Sequence, residues 1–586
     1  MGIEVVHHQH DLPSLEQEVM SMFHQLLTPV ANNLFLSFLV GLVPILVVLI
    51  LLGAVRRPAW QAALAGLVVG LLIAITVWQM PVGLALSSTL NGFVFALLPV
   101  MWIVWNAMWL YNVTVRSGKF DLFRRWMIYN VPPDKRILLL LIAFSFGALL
   151  EGVAGFGTPV AIGSALLVAL GFPAVEAVTL TLMFNTTPVA FGALGAPVIT
   201  LGAVTGLPPA ILGQMIGRQL PVFGLILPFY ALIFYTGFRS LRTAWPVALV
   251  AGLSFALTQF TVSNFINYQL TDVLSALISL LCIILFVQLW KPRDLEQYRA
   301  SFTSALPGVA MGGHDEVIPR TPIGAEDIPA TVEVNPAEQA VKPSAGEAVR
   351  AWLPWVLIAL VVILWTLASV ASVGSSPIKW PGLHNAIFLT LYHKPYGAIY
   401  TFQPLGTGTA ILLTVVLTAI FLGVSPALFV QALADTWKQL RFAILTVVLI
   451  IGLAYLYNYS GMVYTLGLAI SSVGAIFPFF SVFLGWIACF LSGSDTSSNA
   501  LFGNLQVVAA RQLKLSPVLM AATNSSGAVM GKMVSPQNVT TGVSTTDLVG
   551  KEGLIVRRTI VHSLVLACVL GVIVMVQQYL IPGIIP

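Results

Sequence analysis

Two acids, Glu151 and Asp495, each stand in a run of small residues within an otherwise apolar stretch. The first run is Glu151-Gly152-Val153-Ala154-Gly155-Phe156-Gly157-Thr158-Pro159, and fourteen uncharged residues precede it. The second is Gly493-Ser494-Asp495-Thr496-Ser497-Ser498-Asn499. An ionisable group inside a membrane costs about 2.5–3.5 kcal/mol on the insertion scale and is functional by default. Both acids are read as proton carriers, since a carboxyl group shielded from water can hold a proton at working pH; the competing reading is a cap at an interfacial helix end. Lys532 and Arg218 are the two cations placed to hold an anionic substrate, Arg being able to do so bidentately. Lys532 could instead snorkel to an interface. Hydroxyls and amides of Asn185, Thr186, Thr187, Ser497, Ser498, Asn499, Asn524 and Ser525 would complete a small polar pocket. Arg557 adjoins Arg558 and reads as a membrane anchor, and His562 as a packing residue.

These residues recur in register. Asn185-Thr186-Thr187 is followed by Gly192, Pro197 and Arg218; Asn524-Ser525-Ser526 is followed at the same three offsets by Gly531, Pro536 and Arg557. Leu110-Tyr111-Asn112 reappears as Leu456-Tyr457-Asn458. The first copy runs from an uncharged loop toward a basic one, and the second starts beside Lys438 and Arg441 and runs toward an uncharged loop. By the positive-inside rule the copies cross in opposite directions. Inverted repeats interrupted by Gly and Pro at matching places point to the binding site of a secondary transporter. Unwound backbone is tolerated at that depth only where it is buried in protein or lines a watery cavity. Half-helix N-termini there offer free N–H groups and partial positive charge to a substrate carboxylate.

The elements that must position these groups follow from composition. Of the 586 residues 58% are hydrophobic and 8% charged, and fifteen of the charges fall between Lys291 and Arg350. Such a chain cannot cover a water-facing surface, which excludes a soluble enzyme and a nucleic-acid binder. A spanning helix needs about 20 apolar residues. Leu34–Val55, Trp60–Trp78, Gly92–Val113, Ile137–Leu150, Leu220–Phe238, Trp245–Phe265, Asp272–Trp290, Trp352–Val373, Thr409–Val424, Ala443–Leu468, Ala475–Leu491 and Thr559–Ile581 qualify. The expected fold is an all-α polytopic membrane protein with about 12–14 transmembrane helices in two inverted repeats. Its expected divisions are an N-terminal tail (1–33), a first repeat (34–242), a connecting helix pair (243–290), a polar cytoplasmic loop (291–349) and a second repeat (350–586).

Other chemistry is not supported. Cys282, Cys489 and Cys568 lie in separate apolar runs, and His7, His8 and His10 sit in a polar tail that reads as solvated, so no metal or cofactor is expected. Gly527-x-x-x-Gly531-Lys532-Met533 is one residue short of a P-loop and has Met where Ser or Thr is required. No catalytic triad signature accompanies His562, so an intramembrane enzyme is disfavoured.

The runs EGVAGFGTPVAI (151–162), NTTPVAFGALGAP (185–197), GRQLP (217–221), NYSG (458–461), GSDTSSNALF (493–502) and GKMVSPQ (531–537) resemble those of the bacterial lactate permease family. The resemblance covers nearly the whole chain. It implies a multi-pass protein of the bacterial inner membrane that imports lactate and often glycolate with protons. It also implies re-entrant hairpins, at 151–171 and 493–514, opposite broken helices at 185–197 and 524–537. The remaining alternatives are a sodium-coupled organic anion transporter, or a cation/proton antiporter using the same Ser- and Asn-rich breaks.

Overall fold

In the computed structural model, residues 22–155, 157–300 and 343–586 are described. The chain is a predominantly helical multi-pass membrane protein. Ten helical stretches among the described residues are long and apolar enough to cross a bilayer, or up to eleven if the bent pair Ala174–Phe184 and Val189–Thr205 counts as one span. One of the ten, Pro209–Ile266, is 58 residues long and doubles back at Gly237 (φ 77°). A Cβ on Gly224 would lie 3.2 Å from the Phe255 ring, and one on Gly252 would lie 2.7 Å from the Leu225 carbonyl. Its halves therefore pack as an antiparallel pair, matching the expected spans Leu220–Phe238 and Trp245–Phe265.

Other expected boundaries move. Thr407–Leu422 is an apolar helix of only 16 residues. Lys438 and Arg441, expected in a loop, lie inside one 35-residue helix, Pro426–Ser460, because nothing between Pro426 and Gly461 breaks it. Asp435 of that helix pairs with Arg116 at 2.6 Å, and Asn112 donates to Thr436 and Gln439. The basic end of helix Trp102–Arg116 thus meets the middle of helix Pro426–Ser460. At the polar loop's start Arg136, wholly buried, is held by Asp134 at 2.7 Å and Asp294 at 2.8 Å, under the Tyr298 ring. Burial opposes the charge on Asp294, but hydrogen bonds from Arg136 and Thr243 outweigh it and hold that carboxyl below the usual carboxylate range. The helix that follows the loop begins at Ala345, with Ser344 and Glu347 forming a capping box.

Two small sheets were not anticipated. Phe23–His24 pairs in parallel with Ile387–Leu389, which continues to Lys394–Pro395, and Ser376–Lys379 pairs with Ile399–Phe402. The expected tail is accordingly docked from Phe23 onward. Gln25 donates to the carbonyls of Asn458 and Tyr459, satisfying the end of Pro426–Ser460. The histidines at 7, 8 and 10 lie outside the described residues.

The failed P-loop has a structural role instead. Helices Phe477–Ser492 and Pro517–Lys532 pack backbone to backbone. A Cβ on Gly485 would fall 2.0 Å from the Asn524 carbonyl oxygen, one on Gly527 2.2 Å from that of Val482, and one on Gly531 2.3 Å from that of Trp486. Small residues allow such close helix approach in membranes. Gly527→Ala is therefore expected to destabilise the protein by about 1–3 kcal/mol, since the obstacle is rigid backbone. Gly83→Ala, where nothing lies within 4 Å, should be neutral or slightly stabilising. Thermal unfolding in detergent checks both, and equal melting temperatures would refute this packing.

Candidate functional site

Helix Lys135–Val153 is buried over its whole length and stops in the interior. The helix ends at Val153, Gly155 and Gly157 take φ 57° and 85°, and the chain restarts as Thr158–Ala169. In the other half, Phe477–Ser492 ends at Gly493 (φ 71°) and the chain restarts as Asp495–Gln512. Both turns need the left-handed backbone that glycine adopts without penalty. The expected hairpins are thus displaced: the first turns between helices ending at Val153 and starting at Thr158, the second at 493–494, and residues 495–512 form one continuous helix. The breaks in the facing segments fall within the expected ranges, 185–197 and 524–537. The first is broken from Asn185 to Gly195, with Ala193 and Leu194 at positive φ. The second runs unbroken through Asn524 to Lys532 and breaks only at Met533–Ser535.

Helix polarity decides how each charge is held. Asp495 is the first residue of its helix and Lys532 the last of its own, where the partial charges of the helix ends favour them. Glu151 lies in the last turn of its helix, where the partial negative charge opposes it. It is held there by two donors. Lys532 Nζ lies 2.8 Å from Glu151 Oε1, and Asn185 Nδ2 donates to Oε2 at 2.9 Å. Both charged residues are buried, and 381 positions separate them, so the pair ties one half to the other. Gly192 makes room: a Cβ there would sit 2.9 Å from Glu151 Oε1.

Around Asp495 the contacts are neutral. Ser525 donates to its Oδ2 at 2.6 Å, while Oδ1 has no partner among the described residues. Ser494 caps the helix by accepting from the Ser497 N–H. Asn524 donates to Asn499 at 2.9 Å and to Ser498 at 3.5 Å, and accepts from Gln506 at 2.7 Å. Asn499 in turn donates to the Pro197 carbonyl of the first half. Thr187 donates to Phe184 and its carbonyl accepts from Gln259. The Thr186 hydroxyl and Asn185 Oδ1 are buried and have no partner among the described residues.

The structure thus joins Glu151, Lys532 and Asn185 directly, and groups Asp495, Ser525, Ser498, Asn499 and Asn524 beside them. Arg218 is bound elsewhere: it donates to Asn264 at 2.8 Å and to the Ile584 carbonyl near the chain's end. His562 contacts Tyr230. Arg558 pairs with Glu176 at 3.1 Å. Two buried features escaped sequence reasoning. Gln219 accepts from Ser526 at 2.6 Å and donates to Thr523, a further link between the halves. Asp272, fully buried against Gly152, reads in sequence only as the edge of a span.

No group of three or more His, Cys, Asp or Glu suited to a metal occurs among the described residues. The arrangement offers a buried ammonium, buried carboxyls and neutral hydrogen-bonding groups. That arrangement suits a small anion.

A family model described as L-lactate permease matches residues 37–581. The glycolate permease GlcA of Escherichia coli (strain K12) is 39% identical over 94% of this chain and 97% of its own length. The L-lactate permease of Salmonella typhimurium (strain LT2) is 38% identical over 97% of this chain and all of its own. That of Bacillus subtilis (strain 168) is 39% identical over 96% of this chain and 99% of its own.

Proposed function

The chain belongs to the L-lactate permease family, and from that premise we propose that it imports lactate and related 2-hydroxy monocarboxylates such as glycolate across the bacterial inner membrane, one proton accompanying each anion. It is a permease and not an enzyme. The observation that carries the mechanism is the buried Lys532–Glu151 pair.

In the empty site Lys532 is neutralised by Glu151. A substrate carboxylate takes Glu151's place at Lys532, and Glu151, now without its counter-charge and against its helix dipole, takes a proton. The occupied and empty sites then carry the same net charge. A site holding anion without proton, or proton without anion, leaves one buried charge unpaired and is disfavoured. This pairing of costs couples the two fluxes. Symport also removes an electrical penalty, since importing an uncompensated anion costs about 2.3 kcal/mol per 100 mV of inside-negative potential. Asn185 orients Glu151, while Thr186, Thr187, Ser497, Ser498, Asn499, Asn524 and Ser525 provide hydrogen bonds for the substrate. Asp495 is a second proton-exchanging group in this reading, and Arg218 guides anions from the periphery instead of binding them at the centre.

Labelled lactate uptake into vesicles tests this. Uptake should rise with an imposed inward proton gradient, fall when the gradient is collapsed, and be inhibited by glycolate more than by acetate. Uptake that follows sodium and ignores pH would replace the proton mechanism with sodium coupling.

A further inference from the structure

Asp272 is the second residue of helix Thr271–Leu289 and is wholly inaccessible. Neither of its carboxyl oxygens has a hydrogen-bond partner among the described residues, and nor does the neighbouring Thr271 hydroxyl. A Cβ on Gly152 would fall 2.9 Å from the Asp272 Cβ, so the acid packs against the residue that follows Glu151. The charged groups that face it are Glu151 and Lys532. Segment Gly192–Thr205, which also packs on its helix, contains no titratable residue. Helix Pro221–Thr261 carries Tyr230, which contacts His562, Tyr235, which stacks on Phe172, and Arg239 and Arg242 just past its Gly237 bend. Tyr268, on the turn before Asp272, packs against Gly195 and Gly213.

A buried carboxylate with neither donor nor counter-ion is costly, whereas the neutral acid avoids most of that cost. Lys532 is committed to Glu151 at 2.8 Å, so in this conformation Asp272 is the neutral member of the three. We propose that Asp272 is the proton relay that joins Glu151 to the water on whichever side the site is open. This rests on the reading that Lys532 exchanges Glu151 for a substrate carboxylate. As that exchange occurs, the Asp272 O–H bond breaks and its proton forms an O–H bond on Glu151. Asp272, briefly a carboxylate at the positive end of its own helix, then takes a replacement proton from water. On the other face the order reverses as lactate leaves and Lys532 recaptures Glu151. One proton moves with one anion, and no charge is stranded in the empty or the loaded state.

The test uses the full-length protein in liposomes with labelled lactate. For one-to-one symport a gradient of one pH unit supports about ten-fold accumulation. Asp272→Asn, shaped like the protonated acid but unable to pass a proton, is expected to lose that accumulation and the pH dependence of uptake. Counterflow of labelled against unlabelled lactate, which needs no net proton movement, should persist. Asp272→Glu should restore accumulation. Wild-type accumulation with an equally active Asp272→Asn overturns the relay and leaves the lactate reading intact. Loss of counterflow as well as accumulation in both variants also overturns it, because the residue would then be structural. Absence of accumulation by the wild type overturns the underlying reading, and the relay with it.

Discussion

Lys532→Met is expected to abolish lactate uptake, by about a hundred-fold or more, and to lower stability at the same time. Losing one partner of a buried charge pair costs about 3–5 kcal/mol, because the other is left uncompensated. Glu151 would be that stranded partner, at a helix end that already opposes its charge. Adding Glu151→Gln removes the stranded charge and keeps an acceptor for Asn185. The double variant should therefore recover most of the thermal stability while remaining inactive, since no ammonium is left to receive the substrate. That divergence separates a binding role from a structural one. Stability and uptake recovering together in Glu151→Gln/Lys532→Met would show that Lys532 serves the fold alone, and robust uptake by Lys532→Met would remove it from the site.

The two-fold logic of the site was legible in sequence, but its asymmetry was not. The offsets from Asn185 and Asn524 mark two segments that pack together in the fold, and Lys532 takes the position at which the first copy has Ala193. The same offset places Asp495 opposite Phe156, not Glu151. One acid therefore closes a helix and the other opens one, and helix polarity then makes them different groups. Asn524 looked like a helix breaker because Asn competes for backbone hydrogen bonds. Here its side chain is fully engaged by Asn499, Ser498 and Gln506, so the helix continues to Lys532 and breaks at Met533. Asp272 was overlooked because an acid at the start of an apolar run marks a span boundary in any hydropathy reading. Only the packing of Gly152 against it shows that this boundary lies inside the protein. The strands of 376–402, none longer than four residues, are too short to impose an alternating pattern.

Glu151→Gln alone should separate binding from coupling. The substitution keeps the shape of the protonated acid and the hydrogen bond from Asn185, but it leaves Lys532 without a counter-charge in the empty site. Lactate no longer competes with an internal carboxylate for the ammonium, so it should bind more tightly, by about ten-fold or 1.4 kcal/mol. It should also raise the melting temperature of the variant more than that of the wild type, because it supplies the missing charge. Transport responds in the opposite direction. The empty carrier would have to return with an unpaired ammonium buried between the halves, so net uptake and pH-driven accumulation should stop. Exchange of lactate for lactate should continue, since the site is never empty while it moves. Tighter binding distinguishes this variant from Asp272→Asn, which leaves the Lys532–Glu151 pair in place and should bind lactate as the wild type does. Glu151→Gln with unchanged accumulation and unchanged lactate affinity would show that the carboxylate only fastens Lys532, and the coupling proton would then have to be carried elsewhere, with Asp495, paired on one oxygen only, the next group to replace.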